Sequence, residues 1–154
     1  MRKKEKEITD LPEIESIIKR CDVCRVAFAN RDIPYIVTMN FGYQPGKNGT
    51  LYFHCANEGR KLEMIRKNNL VCFEMDADHD LTPGEQACDF GMHFSSIIGY
   101  GIISIITETE EKISGLDHIL THYAGHGPFT YKPDVLERTT LLKLEITEIS
   151  GKKS

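Results

Sequence analysis

The stretch Phe53-His54-Cys55-Ala56-Asn57-Glu58-Gly59-Arg60-Lys61 changes its hydrophobic period midway. Residues 50–55 alternate, with Leu51, Phe53 and Cys55 on one face and Tyr52 and His54 on the other, which is the pattern of a strand. Leu62, Met64 and Ile65 then follow at helical spacing, with Asn57 as the expected N-cap. A strand that opens into a helix aims unpaired N–H groups and the positive end of the helix dipole at one point. Here that point lies beside Gly59, Arg60 and Lys61. Arg grips phosphate through two parallel hydrogen bonds and Lys acts as a point charge, so the pair suits a phosphate monoester. The same two residues also fit an ordinary solvent-facing first turn.

Working outward, Asp10 and Glu13 predict a helix start, and Leu11, Ile14, Ile17, Ile18 and Cys21 recur at helical spacing. Residues 23–29 and 35–40 read as a hairpin around the turn-forming 30–34. Residues 42–49, with three glycines and a proline, are expected to connect rather than build. Residues 70–76 read as a strand, 77–91 as a long polar loop, and 94–107 as a strand that Gly99 and Gly101 bend or bulge. Residues 109–123 predict a helix, and 141–149 a last alternating strand. Six strands, mostly joined by short turns, with helices between them, favour an antiparallel barrel of the α+β class over a parallel sheet.

The chain has 154 residues, and that length suits one domain, expected to span 1–154, whose core needs no disulfide or structural metal. With 19 Lys and Arg against 23 Asp and Glu the net charge is -4, which argues against a nucleic-acid partner. No run of about 20 apolar residues could span a bilayer, and no apolar run follows the basic N-terminus as in a secretory signal, so a cytoplasmic protein without a membrane partner is expected. Five scattered cysteines suit reduced thiols.

Three further motifs could carry chemistry. Cys21-Asp22-Val23-Cys24 closes a helix rather than opening one, so the dipole opposes thiolate formation and two packed apolar residues are expected. His118 and His122 share a helix face that could bind metal or haem iron, although the apolar stripe on other positions favours an exposed polar face. Asp76, Asp78 and Asp80 mimic a calcium loop, but Leu81 and Ala87 stand where that loop needs Gly and Glu.

The run Tyr52 to Lys61, preceded by the strand from Pro34 to Tyr43, resembles the FMN-binding split barrels related to pyridoxamine 5'-phosphate oxidase, and most closely their nitroimidazole-resistance branch. Val71 to Glu74, Ser95 to Gly101, Leu144 to Ile146 and Ser150 to Lys152 match in order, so the similarity spans essentially the whole chain. It implies a six-stranded antiparallel split β-barrel with peripheral helices, working as a homodimer with FMN at the subunit interface. Val37, Thr38, Met39 and Asn40 would line the isoalloxazine, His54 and Cys55 would flank the ribityl chain, and Gly59, Arg60 and Lys61 would hold the phosphate. Position 59 is serine in the oxidase, so one hydroxyl contact is missing. Ser96 falls where relatives place a polar cofactor contact, with Ser95 the alternative register.

The chain has no Trp and lacks the arginine-rich C-terminal segment with which the oxidase grips its substrate, which argues against pyridoxamine phosphate oxidation. The expectation is a flavin-dependent reductase of small electrophiles such as nitroaromatics, with a small-molecule electron donor and acceptor, and with His54 or water supplying protons. On the residues alone His54 fits equally a hydrogen bond across the barrel mouth. The alternatives are a flavin- or haem-binding protein on the same barrel that does not turn over, and a small-barrel interaction module with no cofactor.

Overall fold

In the computed structural model, which describes residues 4–154, the first helix starts where Asp10 accepts a hydrogen bond from the Glu13 N–H (3.2 Å). The basic residues Arg2 and Lys3 lie outside the described residues. A short strand β1 (Glu7–Ile8) precedes this helix, α1 (Leu11–Ile18), which buries Ile14, Ile17 and Ile18. Then come β2 (Cys24–Asn30), β3 (Ile33–Met39), β4 (Gly42–Gln44), β5 (Thr50–Ala56), α2 (Arg60–Lys67), β6 (Leu70–Thr82), β7 (Gly91–Ile106), α3 (Thr109–Ala124), α4 (Pro133–Glu137) and β8 (Thr139–Lys153).

All strands belong to one antiparallel sheet ordered β3-β2-β6-β7-β8-β5-β4, with β1 added on β8. Its inner face is the core, where Val26, Phe28, Leu51, Phe53, Phe73, Met75, Ile97, Ile103, Leu142 and Leu144 are essentially inaccessible. Each such side chain contributes about 1.5–3 kcal/mol by burial, so the inner face supplies most of the drive to fold. The register slips by one residue at Tyr100/Gly101, where a bulge was expected.

Three local expectations are corrected. Residues 42–44 do build: Gly42 lets β4 lie against α3, because an added Cβ would collide with the backbone of His118 and Ile119. The long loop 77–91 is mostly hairpin, since β6 and β7 continue pairing out to Thr82 and Gly91 through a bulge between Ala77 and Asp80. Its polar sequence misled because both faces of an overhanging hairpin meet solvent. Among the described residues the sheet therefore counts eight strands where the sequence predicts six, the additions β1 and β4 being only two and three residues long.

The outer face is covered unevenly. Over β5 and β8 it is roofed by α3, which buries Tyr52, Leu141 and Ile119 together. Over β2, β6 and β7 it is open. Pairing aligns Ile36, Ala27, Cys72 and Tyr100 in one row and Thr38, Arg25, Glu74 and Ile98 in the next. Ile36, Ile98 and Tyr100 are 64%, 49% and 45% exposed, an apolar stripe on which no helix packs among the described residues. Among the described residues no helix is long and apolar enough to cross a membrane.

Candidate functional site

The strand-to-helix junction forms as its sequence predicts, with a different cap. Gly59, not Asn57, is the N-cap of α2, and no side chain caps this end. The N–H groups of Leu62 and Glu63 reach the Gly59 carbonyl (3.0 and 3.3 Å), which leaves those of Arg60 and Lys61 uncommitted by the helix. Asn57 instead ties the junction to the end of α4 and the start of β8: its amide donates to the Glu137 carbonyl (2.9 Å) and its oxygen accepts from the Thr140 hydroxyl (2.8 Å). Gly59 has φ 135° and ψ 166°, a region that essentially only glycine occupies. The glycine here thus meets a backbone demand that serine would strain to meet.

The Arg60 guanidinium lies over the Tyr35 ring, 4.5 Å from its centroid. This contact brings the N-terminus of α2 to β3, whose Tyr35, Val37 and Met39 point inward while Thr38, and Asn40 just beyond the strand, are exposed. Val37 and Met39 therefore offer a neighbouring ligand their main chain, and Thr38 and Asn40 their side chains. Cys55 faces inward, half-buried; burial raises its thiol pKa, and the Lys61 ammonium partly offsets that effect. Tyr35 was not among the expected site residues, although its alternation with Val37 and Met39 is visible in the sequence.

His54 is exposed and projects from the outer face of β5, beside α3 and α4 and opposite the inward-facing Cys55. The two side chains therefore do not flank one ribityl chain as expected, because neighbours on a strand alternate in direction. On the outer face His54 joins Leu116, Ile119, Leu120, Tyr131 and Leu136 around an apolar cavity of about 210 Å³. Tyr131 is fixed by donating to Asp117 (2.6 Å). An imidazole on an apolar wall can donate a hydrogen bond or a proton to whatever small molecule enters.

Ser96 is not part of this group. It sits on β7 opposite Asp76 and Lys152, with β6 and β2 between it and β3, so about 14 Å of sheet separates the two strands. Ser95 is buried.

The other motifs settle into packing and ion pairs. Cys21 and Cys24 are buried; burial pushes the Cys21 thiol up to about 12 and raises that of Cys24 well above its ordinary value. His118 and His122 are not on an exposed face: both are half-buried, His118 stacked on Tyr52 (5.2 Å, 3°) and His122 against Phe41 (4.3 Å). Helical spacing alone could not reveal that β4 packs on that side of α3. Asp78 is gripped by both arms of the Arg20 guanidinium (3.0 and 2.7 Å), and Asp76 pairs with Arg25 and His79.

The family model for pyridoxamine 5'-phosphate oxidase matches residues 10–153. No curated protein matches the sequence. Among solved structures, a candidate 5-nitroimidazole antibiotic resistance protein from Bacteroides thetaiotaomicron is 35% identical, with 96% of this chain and 86% of that chain covered and a TM-score of 0.84. A flavocytochrome from Azotobacter vinelandii superposes with a TM-score of 0.83 at 18% identity, covering 100% of this chain and 72% of its own. An FAD- and haem-binding protein from Mycobacterium smegmatis gives 0.83 at 17% identity, covering 97% and 73%. At such identities these two share the fold.

Proposed function

This chain belongs to the pyridoxamine 5'-phosphate oxidase family, and from that premise we propose that it is an FMN-binding flavoprotein that reduces small electrophiles of the nitroaromatic type. The observation that carries this reading is the α2 N-terminus. It offers uncapped N–H groups, a glycine-only turn and two cations, Lys61 and Arg60, the guanidinium of the latter held against β3. A phosphate monoester fits that donor set in charge and geometry.

In this reading Gly59, Arg60 and Lys61 hold the phosphate. The main chain from Val37 to Met39 and the side chains of Thr38 and Asn40 orient the ring, and Cys55 packs beside the ribityl chain. Bound there, FMN would supply the two-electron chemistry that a nitro group requires. His54 holds a proton at the wall of the apolar cavity and delivers it to the substrate, and the apolar lining excludes water from the acceptor. A small-molecule donor supplies the electrons.

The protein works as a homodimer through the open outer face of β2, β6 and β7. Thr38 lies on that face and so does Ser96, three strands away, so a two-fold partner can bring its own Ser96 towards a flavin held at β3. The visible absorption spectrum of the purified protein tests the cofactor, and chromatography of the heat-released ligand distinguishes FMN from FAD. Reduction of a 5-nitroimidazole by the loaded protein tests the activity. A colourless protein that ignores added FMN overturns the proposal, and so does a haem spectrum, which would favour a haem-binding protein that does not turn over.

A further inference from the structure

We infer that the cleft between α3 and β4 is a second binding site, for a small aromatic carboxylate, apart from the flavin cradle. The cleft encloses about 440 Å³ and is lined by Lys19, Tyr43, Pro45, His118, Thr121 and His122, with His126 at its edge. That volume falls within the range of small-molecule pockets, about 300–1,000 Å³, and exceeds what an inorganic anion needs. Its floor is fixed by Gly42, which lets β4 rest on the α3 backbone at His118.

The lining sorts into rigid walls and open donors. The Tyr43 hydroxyl is committed to Glu15 (3.1 Å), so its ring stands beside Pro45 as a flat apolar wall. His122 is held by its Nε2, 2.8 Å from the Cys21 carbonyl; a carbonyl only accepts, so that nitrogen carries the proton. By contrast Lys19, His118, Thr121 and His126 have no polar side-chain partner among the described residues. His118 lies flat on Tyr52, which fixes its ring plane.

No carboxylate among the described residues lines the cleft. The nearest in sequence to the lining are Asp117, which accepts from Tyr131, Asp22, three residues beyond Lys19, and Glu15, which accepts from Tyr43. The last α1 carbonyls beside Lys19 are covered by the N–H groups of Arg20 and Cys21, which weakens the negative end of that helix. One ammonium, two imidazoles and a hydroxyl facing flat apolar walls complement a planar ring that bears a single carboxylate.

Isothermal titration of the full-length protein with benzoate tests this, with benzyl alcohol and inorganic phosphate as comparators. Benzoate is expected to bind, and both comparators at least about tenfold more weakly, because each keeps only one half of the recognition. Lys19→Gln, at an exposed position, should weaken benzoate about tenfold to hundredfold through the lost charge-assisted bond. Thr121→Val serves as a second variant with a smaller loss. Arg60→Ala should leave benzoate binding unchanged, because Arg60 belongs to the other site. The inference is overturned if benzoate gives no heat at millimolar concentration, if Lys19→Gln binds it equally well, or if either comparator matches it. Loss of binding in Arg60→Ala would place benzoate in the flavin cradle and equally overturn it.

Discussion

The Arg60 guanidinium stands 4.5 Å from the centre of the Tyr35 ring, so the first turn of α2 is held against strand β3. The two residues are 25 positions apart and belong to elements that share no backbone hydrogen bonds. A guanidinium over an aromatic face is worth about 0.5–1 kcal/mol when exposed. That is too little to hold the fold and enough to choose the orientation of one side chain.

Replacing Tyr35 by Leu should therefore weaken FMN binding about twofold to fivefold, the affinity equivalent of that interaction, with Tyr35→Phe close to wild type. Fluorescence titration of the apoprotein with FMN measures both. An unchanged affinity in Tyr35→Leu would show that the ring does not position Arg60.

Arg60→Ala should cost FMN about tenfold to hundredfold in affinity, because it removes a charge-assisted hydrogen bond to phosphate. Riboflavin, which lacks the phosphate, should lose little. Arg60 is exposed, so melting of the apoprotein should hardly move. Equal losses for the two ligands would mean that the residue shapes the pocket rather than binding phosphate.

Cys21 and Cys24 are buried with raised thiol pKa values, whereas Cys88 is exposed in the turn joining β6 to β7. Iodoacetamide at mildly alkaline pH should alkylate Cys88 first and leave Cys21 and Cys24 unmodified in the native state. Mass spectrometry of the digested protein reads this directly. Replacing Cys21 and Cys24 together by Ala should leave flavin content nearly unchanged, and loss of activity in a folded, flavin-loaded double variant would bring the thiols into electron transfer.

The Arg20 guanidinium holds the Asp78 carboxyl down to about 2, below its unfolded value of about 3.9. A depressed carboxyl stabilises the native state above the unfolded value, and that contribution is lost as pH falls through about 2. The stability gap between wild type and Asp78→Asn, measured by urea unfolding, should be constant near neutrality and close between pH 4 and 2. Both partners are exposed, so the gap should be small and shrink further with salt. A gap that persists at the acid end would assign the pair's effect to geometry rather than charge.

The apolar outer stripe of Ile36, Ile98 and Tyr100 should make the protein a two-fold dimer, and Tyr100→Lys should shift it towards monomer in analytical ultracentrifugation. FMN should raise the melting temperature of the dimer by mass action. A wild-type monomer that is saturated with FMN at micromolar concentration would sink both statements.

The sequence by itself determined the elements whose period is strong and whose surroundings are simple. Asp10 with Glu13 set the start of α1, the alternation of residues 50–55 set β5, Gly99 and Gly101 marked the bulge, and the placement of Cys21 and Cys24 announced burial rather than reactivity. These features depend on contacts within a few residues, which the local pattern encodes. What depends on elements distant in the chain was decided only by the tertiary structure. Asn57 became a tether to β8, because Thr140 and Glu137 come within hydrogen-bond reach only after β5 pairs with β8. His118 and His122 turned inward because β4 packs on their side of α3, and the polar run 77–91 became a hairpin because β6 and β7 keep pairing beyond the barrel. Tyr35 reached Arg60, and Ser96 came to rest three strands from β3, because strand order is a property of the whole sheet, on which single-strand periodicity carries no signal.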